Sequence, residues 1–133
     1  KRGWVERPSG KRYGEQQIVR IILINMLRSS MQLEKIIALM RYINGEVDDR
    51  SDDIIPDRRL FCVICSVISQ VDKKQTTDKE IIKEIIENEL RDYVGPNEDS
   101  KQKLEGAVFC MVLGFFSAEI KKEAEAEFSK LFE

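Results

Sequence analysis

Histidine is absent from the 133 residues, and cysteine and proline occur three times each. Without histidine the usual imidazole general base is excluded, and three cysteines cannot complete a four-ligand Cys/His zinc site. There is no Gly-rich phosphate loop and no nucleophile–base pairing. No catalytic residue, metal or cofactor is therefore expected, and an enzyme is the weakest function class. Cys62, Cys65 and Cys110 lie inside apolar runs, and an odd number of them speaks for a reducing cytoplasm. A long hydrophobic run is also missing. The longest uncharged apolar stretch, residues 106–118, would span about 20 Å as a helix against about 30 Å of hydrocarbon, so no membrane crossing is expected. The chain opens on Lys1-Arg2-Gly3 rather than Met, and no signal-like apolar segment follows. It reads as a piece of a longer protein.

What is present is one domain's worth of chain with 42% apolar residues, enough for a core without disulfide or metal staples. The net charge of −2 hides a split. Residues 1–41 hold nine basic and three acidic side chains, a net +6, which leaves −8 on the remainder. A basic head on an acidic body implies contact with a polyanion at one end only.

Residues 1–12 carry two Gly and one Pro with no helical period and read as a turn-rich or hairpin segment. From residue 15 to about 29, Ile18, Val19, Ile21, Ile22, Leu23, Ile24, Met26 and Leu27 are apolar around most of the circumference, which predicts a central helix covered on several sides. Leu33, Ile36, Ile37, Met40 and Ile43 follow the i, i+3, i+4, i+7 rule, with Asn44-Gly45 as a C-terminal stop. Pro56 suits the first turn of a third helix running to about Val71. Thr77-Asp78-Lys79-Glu80 matches a capping box opening a fourth, with Ile81, Ile82, Ile85, Ile86, Leu90 and Tyr93 on one face. Residues 97–132 are one helix or two, apolar all round at first and then amphipathic through Ile120, Ala124, Phe128 and Leu131. The expected fold class is all-α: a small N-terminal β-wing followed by a five-to-six-helix bundle. The expected segments are 1–44 and 45–133, packed as one unit.

Lys11-Arg12-Tyr13, with Arg7 four residues earlier and Arg2 before that, concentrates basic groups and a phenol hydroxyl between a turn and a helix. Such a hairpin can grip phosphates without reading bases, or it can be a solvated basic loop. Three segments, Gly3-Trp4-Val5-Glu6-Arg7-Pro8, Gly10-Lys11-Arg12-Tyr13-Gly14-Glu15-Gln16 and Met31-Gln32-Leu33-Glu34-Lys35-Ile36, resemble the second half of a MerR-like winged-helix domain. Over most of its length the chain also resembles a bacterial domain-of-unknown-function family, number 1836, with a MerR-like N-terminus. The resemblance implies that Arg12 and Tyr13 are phosphate-contacting wing residues with Arg7 and Lys11 beside them, and that Trp4 packs the wing. It also implies a major-groove recognition helix upstream of Lys1.

Three other features carry weaker chemistry. Cys62 and Cys65 have C-x-x-C spacing, but without further ligands or a preceding strand they read as thiols sharing a packed helix face. Asp48, Asp49, Asp52, Asp53 and Asp57 form an acidic loop without the alternating ligand order of an EF-hand, and read as a solvated linker. Gly106, Cys110, Gly114 and Ala118 recur every four residues, a small-residue stripe serving either an intrachain helix crossing or a homodimer seam. The leading expectation is a cytoplasmic MerR-like regulator that binds DNA through the full-length protein and whose helical body dimerises or senses a small-molecule effector of unknown identity. The alternative is a helical interaction or oligomerisation module without a nucleic-acid role.

Overall fold

The computed structural model describes residues 15–29, 31–44 and 54–133. Among them are five helices: α1 (Glu15–Leu27), α2 (Leu33–Asn44), α3 (Asp57–Lys74), α4 (Lys79–Glu89) and α5 (Ser100–Leu131). The described residues contain no strand, and the all-α class holds. The expected β-wing falls on residues 1–14, outside the described residues. The last helical stretch is one helix of 32 residues, about 48 Å long.

Local chemistry sets the helix ends. Pro56, extended at φ −61° and ψ 143°, stands immediately before α3, where its fixed φ and missing N–H cost nothing. That helix runs past the expected Val71 and stops when Gln75 turns left-handed at φ 48° and ψ 47°, its N–H bonding to the carbonyl of Asp72. The cap of α4 corrects the capping-box expectation by one residue. Asp78, not Thr77, is the N-cap: its Oδ1 accepts from the Glu80 N–H at 2.9 Å, while Thr76 Oγ1 accepts from the Asp78 N–H at 3.1 Å. A carboxylate outcompetes a hydroxyl at the positive end of the helix dipole.

All five helices feed one core. Leu23, Ile24 and Leu27 of α1 meet Ile36, Met40 and Ile43 of α2, Leu60, Ile64 and Val67 of α3, and Ile82, Ile85 and Ile86 of α4. Leu104, Val108, Met111 and Val112 of α5 run through them. Only α5 packs against each of the other four. The expectation that α1 is central is therefore corrected: Ile18 and Ile22 stay 49% and 41% exposed, and the spine of the bundle is α5. The mixed circumference of α1 is explained by one apolar face that the described residues leave open.

Four buried or half-buried side-chain hydrogen bonds among the described residues tie the helices and their connections together. Arg20 Nη2 of α1 donates to Asp57 Oδ1, in the first turn of α3, at 2.7 Å, with the two side chains 2% and 0% exposed. The acidic-loop reading is corrected at Asp57, which is a buried ion-pair member rather than a solvated linker residue. Between α3 and α4, Glu89 Oε1 accepts from Ser66 Oγ at 2.8 Å and Gln70 Nε2 at 2.9 Å. Beyond α4, the buried Tyr93 Oη donates to the Ile54 carbonyl at 2.6 Å. Burial raises the Tyr93 phenol above its ordinary value, against the opposing pull of Arg59, and so preserves the O–H that donates.

Asp57→Asn takes away the carboxylate that the buried Arg20 guanidinium faces and is expected to cost about 3–5 kcal/mol in urea unfolding. The Arg20→Met, Asp57→Leu double variant should cost less, because no lone guanidinium remains. A Cβ on Gly95 would overlap Ser100 Cβ and the Tyr93 hydroxyl. Gly95→Ala is expected to lower stability by about 1–3 kcal/mol, read as a reduced urea midpoint.

Candidate interaction surface

The small-residue stripe of α5 does not lie along one contact. Four residues advance a helix by about 40° more than a full turn, so an every-fourth pattern spirals round the cylinder. Gly106 and Cys110 are exposed, Gly114 is half-buried and Ala118 is buried. Among the described residues, no atom lies within 4 Å of where a Gly106 Cβ would sit, apart from its own helix backbone and chain neighbours. Gly106, Ala107 and Cys110 instead floor an open groove of about 550 Å³ whose other wall is Met31, Lys35, Ala38, Leu39 and Tyr42, from α2 and the turn before it. Lys103 Nζ stands 5.7 Å from the Tyr42 ring centroid at the same α2/α5 boundary.

Farther along, α5 outruns the bundle. Every residue from 121 to 133 is exposed, an arm of about 20 Å. Ile120, Phe128, Leu131 and Phe132 are 56%, 63%, 78% and 73% exposed. The spacing of Ile120, Ala124, Phe128 and Leu131 puts them on one face, and the Phe128 and Phe132 rings stack obliquely with centroids 4.9 Å apart. Lys122 with Glu119 and Lys130 with Glu127 form i,i+3 pairs at 3.5 and 3.2 Å. Where α5 leaves the body, Phe116 and Ile120 form a ridge between two grooves. One, of about 270 Å³, is bounded by Thr76, Thr77 and Ile82 and continues the arm's apolar face. The other, of about 620 Å³, lies between α5 and α3.

The cysteines correct an expectation. Cys62 and Cys65 do not share a packed face: both are exposed, as is Cys110, and all three are free thiols. Partial burial, and after it the neighbouring Cys62 thiol, pushes Cys65 above its ordinary value, which disfavours the thiolate needed for nucleophilic or metal chemistry. No group of three or more metal-ligating side chains converges among the described residues. Arg7, Lys11, Arg12 and Tyr13, the expected phosphate-contacting set, lie outside the described residues, as does the acidic loop up to residue 53. Arg20 has one signal in the sequence, a lone Arg inside the apolar run 18–27, and Asp57 reads there as one more acid of the loop.

The model of a family described as a domain of unknown function (DUF1836) matches residues 1–61. The match takes in α1, α2, the first turn of α3 and both members of the Arg20–Asp57 pair. No curated protein and no solved structure matches the chain. Among the described residues, no helix is long and apolar enough to cross a membrane.

Gly106 sits in a helix interior with free space around it, so Gly106→Ala is expected to raise unfolding stability by about 0.5–1 kcal/mol through backbone entropy. A loss of stability would place another backbone against Gly106. Phe128→Glu and Leu131→Glu lie outside the intrachain core and should shift the unfolding free energy of the isolated chain by no more than about 0.5 kcal/mol.

Proposed function

We propose that this chain is part of a cytoplasmic, MerR-like DNA-binding transcriptional regulator, with a wing at its basic head and a helical body that joins two copies through the α5 arm. The observation that carries the reading is the arm itself. A free helical segment of about a dozen residues is marginal in water, and this one presents a row of large apolar side chains that its own body leaves exposed. A covered Phe buries roughly 150–250 Å². Two partly exposed Phe with Ile120 and Leu131 therefore offer on the order of 500 Å² per copy, close to the roughly 600 Å² per partner of a small stable interface. The face supports an isologous two-fold pairing in which Ala124, the small residue at its centre, permits the closest approach and Phe128 of each copy meets Ile120 of the other.

The DNA half of the reading rests on the head. Arg7, Lys11, Arg12 and Tyr13 carry the wing resemblance, and the +6 of residues 1–41 opposes the −8 of the rest. Phosphate contact by such a wing positions a protein without specifying sequence. Three free, exposed thiols suit a reducing compartment. The acidic body favours a second reading, a helical oligomerisation module without nucleic-acid binding.

Titration of labelled duplex at low and physiological salt separates the two. On the regulator reading this chain binds weakly and without sequence preference, at roughly 10⁻⁴ M or poorer at physiological salt, and Arg12→Ala lowers the slope of log K against log salt by about one. No binding at low salt would favour the oligomerisation module. Tight, sequence-selective binding would place the reading element within these residues and overturn the assignment of the head as a wing.

A further inference from the structure

The groove of about 620 Å³ between α3 and α5 has a lining whose two halves differ in chemistry. Its floor is apolar: Met26 of α1, Ile68 of α3, and Phe115 and Phe116 of α5, the two rings meeting edge to face with centroids 5.5 Å apart. Its rim is acidic from both sides, with Asp72 on α3 facing Glu119 and Glu123 on α5. Among the described residues, no Lys or Arg lines it. Val71, Asp72 and Gln75 bring the carbonyl end of α3 to the groove, where a helix carries a partial negative charge, while Lys73 and Lys74 of the same turn lie outside the lining. Aromatic faces contribute in the same sense through their quadrupoles. Glu119 is held by Lys122 at 3.5 Å, a half-exposed i,i+3 pair weak enough to exchange its cation.

We propose that this groove binds an organic cation with a flat apolar body, whose rings lie on Phe115 and Phe116 while its charge sits between Asp72 and the Glu119–Glu123 rim. The chemistry selects this class over its neighbours. A neutral apolar ligand leaves the carboxylates unused, and an anion is repelled by them. A bare metal ion gains nothing from an apolar floor, and these carboxylates do not converge as a ligand cluster. The pairing proposed for the α5 arm is centred on Ala124 and Phe128, which do not line this groove, and shares Ile120 with it. As an effector site the groove rests on the regulator reading. As a binding site it does not, because ligand uptake is measured on the chain without DNA.

The test uses three flat tricyclic probes of similar size at pH 8: N-methylacridinium, neutral acridine and anthracene-9-carboxylate, each titrated by fluorescence and calorimetry. The cation is expected to bind saturably, acridine at least tenfold more weakly, and the anion more weakly still. Glu119→Gln and Glu123→Gln each remove one charge from the rim and should each weaken the cation about fivefold while leaving acridine unchanged. Phe115→Leu should weaken cation and acridine alike. The two Gln variants replace surface carboxylates, and an unchanged urea midpoint verifies their fold. Equal binding of cation and acridine, an unaltered cation affinity in the double Gln variant, or no saturable cation binding up to about 1 mM would each overturn the proposal. Failure of DNA binding with intact cation binding would overturn the regulator reading and leave the site standing.

Discussion

A guanidinium and a carboxylate sealed inside an aliphatic core impose the strongest constraint on this chain. Arg20 and Asp57, 2.7 Å apart at Nη2 and Oδ1, are charged residues buried in a core built mainly of Ile, Leu, Val and Met. Taking both out of water costs several kcal/mol per ion, offset by their facing each other. Sliding α1 along α3 by one residue would take the Arg20 guanidinium away from the Asp57 carboxylate. The pair therefore discriminates against wrong registers more than it adds stability, as buried polar groups do in some other helical assemblies. Pro56 starts α3 at the place that sets Asp57 in its first turn, where the helix dipole also favours a carboxylate. Buried Ile55 and the Tyr93 bond to Ile54 then fasten the entry to α3 from the other side.

With the register fixed, α5 gives the molecule its form. It packs on all four other helices through Leu104, Val108, Met111 and Val112, then continues into solvent. The same helix thus serves as spine, ridge and arm. The ridge of Phe116 and Ile120 separates an acidic, aromatic groove from the apolar face that continues onto the arm. A ligand and a second copy could therefore bear on one helix from two sides.

The sequence made some of this legible and hid the rest for physical reasons. The α2 and α4 faces were readable because their apolar residues keep a helical period against polar backgrounds, and Ile36, Met40, Ile43, Ile82, Ile85 and Ile86 are all buried. The amphipathic second half of α5 was readable too, although periodicity does not say whether an apolar face is covered by its own chain. Helix α1 misled, since its apolar residues surround the axis while Leu23, Ile24 and Leu27 are buried and Ile18 and Ile22 stay exposed. Cys62 and Cys65 misled because small apolar side chains are read as core, whereas here Val63, Ile64 and Val67 take the inward face of α3. Asp57 looked like one more acid in an acidic loop; pairing over 37 positions leaves no local mark. The small-residue stripe drifts by about 120° of circumference between Gly106 and Ala118, so its members meet different surroundings, exposed at Gly106 and Cys110 and buried at Ala118.

Sedimentation of the isolated chain from low to high micromolar concentration tests the central claim most directly, with wild type run beside a Phe128→Glu, Leu131→Glu double variant. The account predicts a reversible monomer–dimer equilibrium for the wild type by tens of micromolar, abolished in the double variant with its unfolding curve unchanged. A wild-type chain that stays monomeric over that range, or a dimer indifferent to both charges, would contradict it.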